Sequence, residues 1–304
     1  MGKKIKILIT GSSGQLGQSF MSLSKMFPIY DFLFFNKKSL DISDFDFVKS
    51  KIESLKPEII INCAAYTDVN NAENDKSISQ LVNYKAVKNI ANLCKELNIF
   101  LIHFSTDYVF ENNLSIENSK KKCVTKRVTN KPYNEHVLPS PNHTYSLSKY
   151  LGENSIIKAS LSKYLIVRTS WLYSEFSDNF VLKVLKNLKN EIPFNVVDDQ
   201  FGSPTYAYDL ASSVLNVLNK FSSENSGIYH YSSVDFCSRF EFALQIKKFI
   251  NSPTKITPVA SVDKLRPFFS ALDPNKFCVT FNQDKYLWKD RLFYFLKYSN
   301  IYVS

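Results

Sequence analysis

The stretch that most constrains the fold is Ile5–Phe20, which reads IKILITGSSGQLGQSF. An apolar run leads directly into three of the chain's seven glycines, Gly11, Gly14 and Gly17, and a helical pattern of apolar residues follows. A strand, a glycine turn and a helix start bind dinucleotide phosphates, because glycine lets the backbone approach and helix N–H groups face the anion. The spacing G-x-x-G-x-x-G is a variant of the usual fingerprint. A purely structural turn is the alternative.

Strand signals alternate with helical patterns through the first half of the chain. The predicted strands are Lys6–Thr10, Asp31–Phe35, Glu58–Asn62, Phe100–Ser105 and Tyr164–Arg168. The predicted helices between them are Gln15–Met26, Asp44–Leu55, Ser77–Leu97 and Thr144–Ala159. This alternation predicts an α/β fold, a doubly wound parallel sheet of the Rossmann type, with functional residues at the carboxyl edge.

The last third of the chain has fewer alternations and more aromatic residues. Helices are predicted over Asn179–Leu188, Tyr208–Leu218, Ser238–Ile250 and Gln283–Lys297. We therefore expect residues 1–172 to form the dinucleotide-binding domain, with residues 205–232 returning to it. Residues 173–304 are expected to form mainly a smaller C-terminal substrate-binding lobe.

Composition restricts the setting and the partners. No apolar run reaches the roughly 20 residues that cross a bilayer, and the short N-terminal run argues against a signal peptide. Five scattered cysteines indicate a reduced, cytoplasmic setting. The formal charge of +10 comes partly from a basic segment, residues 111–131, which we interpret as a surface loop. Nucleic-acid binding is the alternative to a solvated loop on an enzyme with an anionic ligand, and we predict neither a nucleic-acid nor a membrane partner.

The ends of the predicted strands carry the candidate ligand contacts. After the second strand, Asn36 and Lys37 stand where an acidic residue would bind an NAD ribose, which favours NADPH and leaves NADH open. Small residues follow the third strand and let a cofactor approach. The fourth strand ends in hydroxyls, a carboxylate and a phenol at the predicted active edge. The residues after the third strand are Ala64, Ala65 and Thr67. Those at the end of the fourth strand are Ser105, Thr106, Asp107 and Tyr108.

Two chemically matched side chains lie in the helix that begins near residue 144. Tyr145 and Lys149 are four residues apart and so share one helix face. A neighbouring ammonium favours the phenolate and lowers the pKa of a tyrosine. With a hydroxyl from Ser105 or Thr106 to hold the substrate oxygen, the pair predicts a proton donor for carbonyl chemistry.

Several blocks of sequence resemble one family nearly from end to end. The chain is similar to the extended short-chain dehydrogenase/reductases, and within them to the dTDP-4-dehydrorhamnose reductase family. The matching blocks are TGSSGQLGQ at Thr10–Gln18, NCAAYTDVNNAE at Asn62–Glu73, STDYVF at Ser105–Phe110, PYNE at Pro132–Glu135, YSLSKYLGE at Tyr145–Glu153, RTSWLY at Arg168–Tyr173, DDQFGSPT at Asp198–Thr205 and GIYHYS at Gly227–Ser232.

The resemblance implies an activity and a set of site residues. NADPH would reduce the C4 ketone of a dTDP-4-keto-6-deoxy-L-hexose, as in the conversion of dTDP-4-dehydrorhamnose to dTDP-L-rhamnose. Tyr145 would donate the proton, Lys149 would tune Tyr145 and bind the nicotinamide ribose, and Thr106 would hold the substrate oxygen. Asp107 and Trp171 would contact the substrate. The cofactor contacts implied are Gly11, Ser13, Gly14, Gln15, Leu16, Gly17, Asn36, Lys37, Ala64, Ala65, Thr67, Tyr145 and Lys149.

The chain departs from the family at a few positions. Ser146 stands where glycine usually follows the tyrosine, and the insertion between Phe110 and Pro132 is long and basic. Some relatives bind magnesium at a dimer contact through an acidic residue, but here the position is Ser19, so we predict no metal site and regard Mg²⁺ as doubtful. A homodimer stays open.

Two other functions fit parts of the pattern. A nucleotide-sugar dehydratase or epimerase would keep its NAD, and a dehydratase would carry glutamate at the position of Tyr108. A non-catalytic NADP-binding regulatory subunit would not need Thr106, Tyr145 and Lys149. Both alternatives stay open on the sequence, behind the reductase.

Overall fold

The strands predicted for the first half of the chain lie side by side in one parallel sheet. The computed structural model describes residues 3–110, 131–262 and 265–299. Its strands are β1 Ile5–Thr10, β2 Tyr30–Phe34, β3 Ile59–Asn62, β4 Phe100–Thr106, β5 Tyr164–Thr169, β6 Leu172–Tyr173, β7 Phe194–Val197, β8 Phe201–Gly202, β9 Thr205–Tyr206, β10 Gly227–His230, β11 Cys237–Ser238 and β12 Ile256–Val259.

The helices follow the predicted alternation. They are α1 Gln15–Leu23, α2 Phe45–Leu55, α3 Lys76–Gln80, α4 Val87–Glu96, α5 Thr144–Ala159, α6 Phe180–Lys189, α7 Ala207–Leu218, α8 Arg239–Ile250, α9 Asn275–Phe281 and α10 Trp288–Tyr298. None of the helices in the described ranges is both long and apolar enough to cross a membrane.

The central sheet has six parallel strands in the order β10-β5-β4-β3-β1-β2. The chain runs outward from β1 to β2 and then returns past β1 to β3. The strand order therefore reverses between β1 and β3, and ligands bind in the crevice that such a reversal opens at the carboxyl ends of the strands. Gly11 follows β1 and Ala64 lies just beyond β3, so the predicted turn borders this crevice.

Helices cover both faces of the sheet because both faces are apolar. Ile7 and Ile9 point to the face covered by α1 and α7, whereas Leu8 points to the face covered by α2, α4 and α5. Phe20 of α1 is fully buried on the first face, and burying a side chain of this size contributes about 1.5–3 kcal/mol. These layers confirm the doubly wound parallel sheet.

A second, smaller region is built from pieces of the C-terminal half. Helices α6, α8 and α10 pack around their own buried core, which includes Phe242, Trp288 and Phe295. Three short strand pairs, β6 with β9, β8 with β11 and β7 with β12, connect its loops. The same half also returns β10 to the central sheet and α7 to the face of α1. The domain boundaries given above remain predictions.

Several elements differ from the predicted ones. The helix expected over Ser77–Leu97 is interrupted by a π-helical segment, Leu81–Ala86, between α3 and α4. The last helix begins at Trp288 rather than Gln283, and the strand β10 was not predicted. The loop predicted over residues 111–131 lies outside the described residues except for Lys131.

Candidate active site

The glycine turn after β1 is shaped for a phosphate. Gly11 has a φ of +64°, and a Cβ there would lie 2.6 Å from the Ala64 nitrogen. A Cβ on Gly17 would lie 2.4 Å from the Gly11 carbonyl oxygen, so helix α1 packs on the turn only with glycine there. Helix α1 has no acidic residue in its first turn and no side-chain cap. Its N-terminal N–H groups are therefore available to a diphosphate.

The other predicted contacts of this turn lie around the same crevice. Ser13 and Gly14 are exposed, Gln15 is half-buried, and Leu16 is buried beneath them. The Ser13 carbonyl accepts hydrogen bonds from Gln18 Nε2 at 2.9 Å and Ser177 Oγ at 3.3 Å. These bonds fix the loop from which a phosphate would be bound, and the residues present fit a dinucleotide.

The segment after β2 forms a tight turn beside the crevice. Asn36 Oδ1 accepts hydrogen bonds from the backbone N–H groups of Lys38 at 2.9 Å and Ser39 at 3.1 Å. The Asn36 side chain therefore holds the turn, as asparagine often does. Lys37 and Lys38 are exposed, so this turn carries two cations beside the crevice.

The segment after β3 is held by an asparagine that the sequence did not single out. Asn83 Oδ1 accepts from the Tyr66 N–H at 2.9 Å, and Asn83 Nδ2 donates to the Tyr66 carbonyl at 2.9 Å. The same Nδ2 donates to Ser148 Oγ of α5 at 3.0 Å. Asn83 lies in the π-helical segment and is 1% exposed, so it links the predicted nicotinamide loop, Ala64–Thr67, to helix α5.

Lys149 is buried under this loop and is held in place by strand β4. Its Nζ donates to the Phe104 carbonyl at 2.7 Å and lies 3.5 Å from His103 Nε2. Burial lowers the pKa of Lys149 to about 8, and the Glu153 charge opposes this shift. Burial and the Lys149 charge hold the pKa of His103 well below its usual value, so His103 is neutral at pH 7. The Lys149 cation therefore has fixed neutral partners.

Tyr145 lies in the first turn of α5, one turn before Lys149. The turn is anchored by Glu73, whose carboxylate accepts from the Thr144 N–H at 2.7 Å and from Thr144 Oγ1 at 2.9 Å. The Tyr145 ring meets the Tyr108 ring edge to face at 5.8 Å. Ser146, the departure from the family, is fully buried and caps the helix through the backbone of His143. The serine therefore fits without displacing Tyr145.

Thr106 and Asp107 follow directly at the end of β4. Thr106 Oγ1 donates to Asp107 Oδ1 at 3.1 Å and accepts from the Tyr108 N–H at 3.2 Å. The Asp107 Oδ2 is buried and has no hydrogen-bond partner within the described parts of the chain. Burial raises the pKa of Asp107 to about 7, against the hydrogen bonds from Ser270 and Thr106. Ser105 Oγ is likewise buried without a described partner.

Trp171 lies beyond the end of β5 in a conformation that side chains rarely adopt. Its φ is +45°, in the left-handed region, where non-glycine residues are strained and cluster at functional sites. The indole packs directly on Gly202, where a Cβ would lie 2.4 Å from Trp171 Cε2. The Arg239 guanidinium carbon lies 3.6 Å from the ring centroid. The Trp171 indole thus contacts both Gly202 and Arg239.

The structure brings together most of the predicted site. Thr106 is hydrogen-bonded to Asp107 and to the Tyr108 N–H, and the Tyr108 ring contacts the Tyr145 ring. Lys149 is hydrogen-bonded to the same strand, at Phe104. Arg239 stacks on Trp171; burial lowers the pKa of Arg239, and the charge of Asp107 opposes this shift. Ser19 is buried, and its hydroxyl donates to the Gln15 carbonyl at 2.9 Å. Across the described ranges, no cluster of three or more His, Cys, Asp or Glu residues could hold a metal ion.

A family model described as the RmlD substrate binding domain matches residues 5–300 of the chain. The chain belongs to this family. It is 33% identical over 300 residues to a dTDP-4-dehydrorhamnose reductase of Aggregatibacter actinomycetemcomitans, covering 94% of this chain and 97% of the relative. It is also 33% identical over 271 residues to the spore coat polysaccharide biosynthesis protein SpsK of Bacillus subtilis, covering 88% of each chain.

Solved structures agree with the family assignment. A dTDP-4-dehydrorhamnose reductase of Bacillus anthracis in complex with NADP superposes with a TM-score of 0.85 at 33% identity, covering 98% of this chain and 99% of that one. A UDP-glucose 4-epimerase of Thermus thermophilus in complex with NAD has a TM-score of 0.79 at 15% identity, covering 96% and 98%. The epimerase shares the fold only.

Proposed function

We propose that this chain catalyses the NADPH-dependent reduction of the C4 ketone of a dTDP-4-keto-6-deoxy-L-hexose, converting dTDP-4-dehydrorhamnose to dTDP-L-rhamnose. One observation carries the proposal, namely Lys149 buried one helical turn from Tyr145 and bonded to the strand that ends in Thr106 and Asp107. Its relatives named dTDP-4-dehydrorhamnose reductase and the NADP-bound structure support the substrate and the cofactor.

The residues of this chain divide the work of the reaction. When bound, NADPH supplies a hydride to the carbonyl carbon of the substrate. The Tyr145 hydroxyl donates a proton to the carbonyl oxygen as negative charge develops there. Lys149 stabilises the resulting tyrosinate, because its ammonium form predominates at pH 7 with a pKa of about 8. Thr106 donates a hydrogen bond to the substrate oxygen after releasing Asp107.

Other groups bind and orient the two ligands. The Gly11–Gly17 turn and the N-terminus of α1 hold the cofactor diphosphate, and Ala64 and Ala65 line the nicotinamide side. Asp107 accepts a hydrogen bond from a sugar hydroxyl through its unpartnered Oδ2. Trp171 covers the sugar. The reaction takes place in the cytoplasm.

The test is an assay with the ketosugar nucleotide and NADPH. We expect stoichiometric loss of NADPH absorbance and formation of dTDP-L-rhamnose, identified by NMR of the purified product. An epimerase or dehydratase would convert the nucleotide sugar without net consumption of NADPH. A regulatory subunit would bind NADPH but leave the sugar unchanged, so either result would refute the proposal.

A further inference from the structure

Arg239 is an arginine with no ion-pair partner in the part of the chain that the structure describes. It is the first residue of α8, directly after β11, and its guanidinium makes no hydrogen bond or ion pair with any residue in the described ranges. Arg168 and Arg291 differ from it, because each is paired with a carboxylate, Glu153 and Asp209 respectively. Arg239 therefore has unused donors at the site.

The surroundings hold Arg239 in one position. Its backbone N–H donates to the Gln200 carbonyl at 3.1 Å, and the preceding strand β11 pairs with β8. Its guanidinium lies 3.6 Å from the Trp171 ring centroid and 5.0 Å from the Phe180 centroid. Trp171 is itself packed on Gly202, so the guanidinium stacks on a ring that has its own packing contact.

Stacking occupies the face of a guanidinium but not its edge. The five N–H donors of arginine lie in the plane of the group and match the oxygens of a phosphate in pairs. Arg239 is half-buried, and burial lowers its pKa from the usual value, so the cation is partly desolvated without an ion-pair partner among the described residues. A preorganised, partly desolvated cation of this kind binds an anion more strongly than a solvated one.

The charges around Arg239 indicate where the anion lies. Asp107 and Tyr108 are on the side of the reacting centre, and Arg266 and Cys237 are the other titratable groups that act on it. Asp107 is too far for an ion pair with Arg239, since no such contact within 4.0 Å is present in the described structure. Asp107 can accept hydrogen bonds from the sugar hydroxyls. The diphosphate is the only anionic part of the proposed substrate and is therefore the group that Arg239 would bind.

We propose that Arg239, stacked on Trp171, binds the diphosphate of the nucleotide-sugar substrate and thereby sets its distance from Tyr145. This assignment rests on the proposed function for its substrate class. It adds a binding residue from the C-terminal lobe and gives the strained Trp171 a second role, as the platform that fixes the arginine.

The test measures ligand binding without turnover. Calorimetric titration of the NADP-loaded protein with dTDP and with thymidine should show tighter binding of dTDP. Arg239→Met keeps a side chain that can pack on Trp171 but removes the charge. We expect it to weaken dTDP binding about 10- to 100-fold, as for loss of a charge-assisted hydrogen bond, and thymidine binding less than about 2-fold. Arg239→Lys should restore part of the dTDP affinity.

Lys248→Met is the matched control. It removes one positive charge from an exposed position in the last turn of the same helix, and dTDP affinity should stay within about 2-fold of wild type. If Arg239→Met does not fold, judged by its melting transition, Arg239→Gln provides the same comparison.

The outcomes separate this inference from the proposed function. Unchanged dTDP affinity in a folded Arg239 variant would overturn the role of Arg239 and leave the reductase assignment intact. Equal losses for dTDP and thymidine would also overturn it, because they would show a general effect on the pocket. Failure of the wild-type protein to bind either ligand would overturn both proposals.

Discussion

The two ends of the candidate site are built in different ways. The cofactor end is formed at the ends of strands β1, β3 and β4 and by the first turns of α1 and α5, all within one sheet and its covering helices. The substrate end is formed by Trp171, Gly202 and Arg239, which come from three short strand regions of the C-terminal half. Short sequence motifs specify the first end. At the second end, the sequence indicated Trp171, but its contacts with Gly202 and Arg239 depend on tertiary packing.

This difference has a chemical consequence. Cofactor binding and proton transfer depend on distances within single elements, such as the one helical turn between Tyr145 and Lys149. Substrate position depends on how the C-terminal region packs against the sheet. Substitutions at the cofactor end should therefore change chemistry or cofactor affinity alone, and substitutions at the substrate end should change substrate affinity alone.

Tyr145→Phe should have the largest effect. Loss of the proton donor should lower kcat about 10²- to 10⁴-fold, the usual contribution of a general acid, while NADPH affinity changes little. Steady-state kinetics and fluorescence titration of NADPH would measure the two quantities. Tyr150→Phe, on the same helix, is the control and should keep wild-type kcat. Comparable kcat in both variants would show that Tyr145 is not the proton donor.

Asp107→Asn tests how the stability of the protein depends on pH at Asp107, the residue between the cofactor end and the substrate end. Burial raises the pKa of Asp107 to about 7 in the folded protein, so folding favours its protonated form. The stability that protonation contributes is present below pH 4 and is lost as pH rises through 7. Asparagine imitates the protonated acid at every pH. Relative to wild type, the variant should therefore gain roughly 2–4 kcal/mol in unfolding free energy between pH 4 and pH 8.

Denaturant unfolding at a series of pH values would show this gain. Asp31→Asn is the control, since Asp31 is exposed on β2. The substitution removes a carboxylate outside the site and so measures how much a change of this kind alters unfolding by itself. A difference for Asp107→Asn that stays constant from pH 4 to pH 8 would show that the buried carboxyl titrates normally.

The sequence was sufficient to predict those parts of the site that lie within a single strand, turn or helix. The glycine turn, the Tyr145–Lys149 spacing and the doubly wound sheet follow from local pattern, because strand and helix periods place those side chains on fixed faces. The structure places Thr106, Asp107 and Tyr145 close together. The role of each residue in the reaction is still a prediction.

The contacts between elements could not be predicted from pattern. Asn83 reaches Tyr66 only because a π-helical segment replaces the expected continuous helix, and such a segment has no clear sequence signal. Arg239 lies on Trp171 only because β8 and β11, each two residues long, pair with one another. Strands this short show no periodicity. The available signal for Asn83 was its place on the apolar face of the predicted helix, three, four and seven residues before Ala86, Val87 and Ile90.

Asn83→Ala tests whether the cofactor end and the substrate end are independent. Asn83 links the nicotinamide loop to helix α5 and so supports the cofactor end alone. The substitution leaves the Tyr66 N–H and carbonyl without their partner, which costs about 1–3 kcal/mol of stability. Because the nicotinamide loop is released, NADPH affinity should fall about 10-fold, with the substrate affinity unchanged. Asn89→Ala is the control, since Asn89 Nδ2 has no partner in the described structure. Equal effects on both ligands would contradict the separation of the two ends.

Lys37→Glu should have the smallest effect and addresses the adenosine end alone. Lys37 is exposed on the turn that Asn36 holds, so the substitution changes charge without disturbing a buried contact. A carboxylate there would repel the 2′-phosphate of NADPH and could bind the ribose hydroxyls of NADH. We expect the ratio of NADPH to NADH affinity to fall about 10-fold, at unchanged kcat with either saturating cofactor. Lys95→Glu, at the end of α4, should leave this ratio unchanged. If Lys37→Glu leaves it unchanged as well, Lys38 or the turn backbone determines the cofactor preference, and the adenosine end is then not specified by this single side chain.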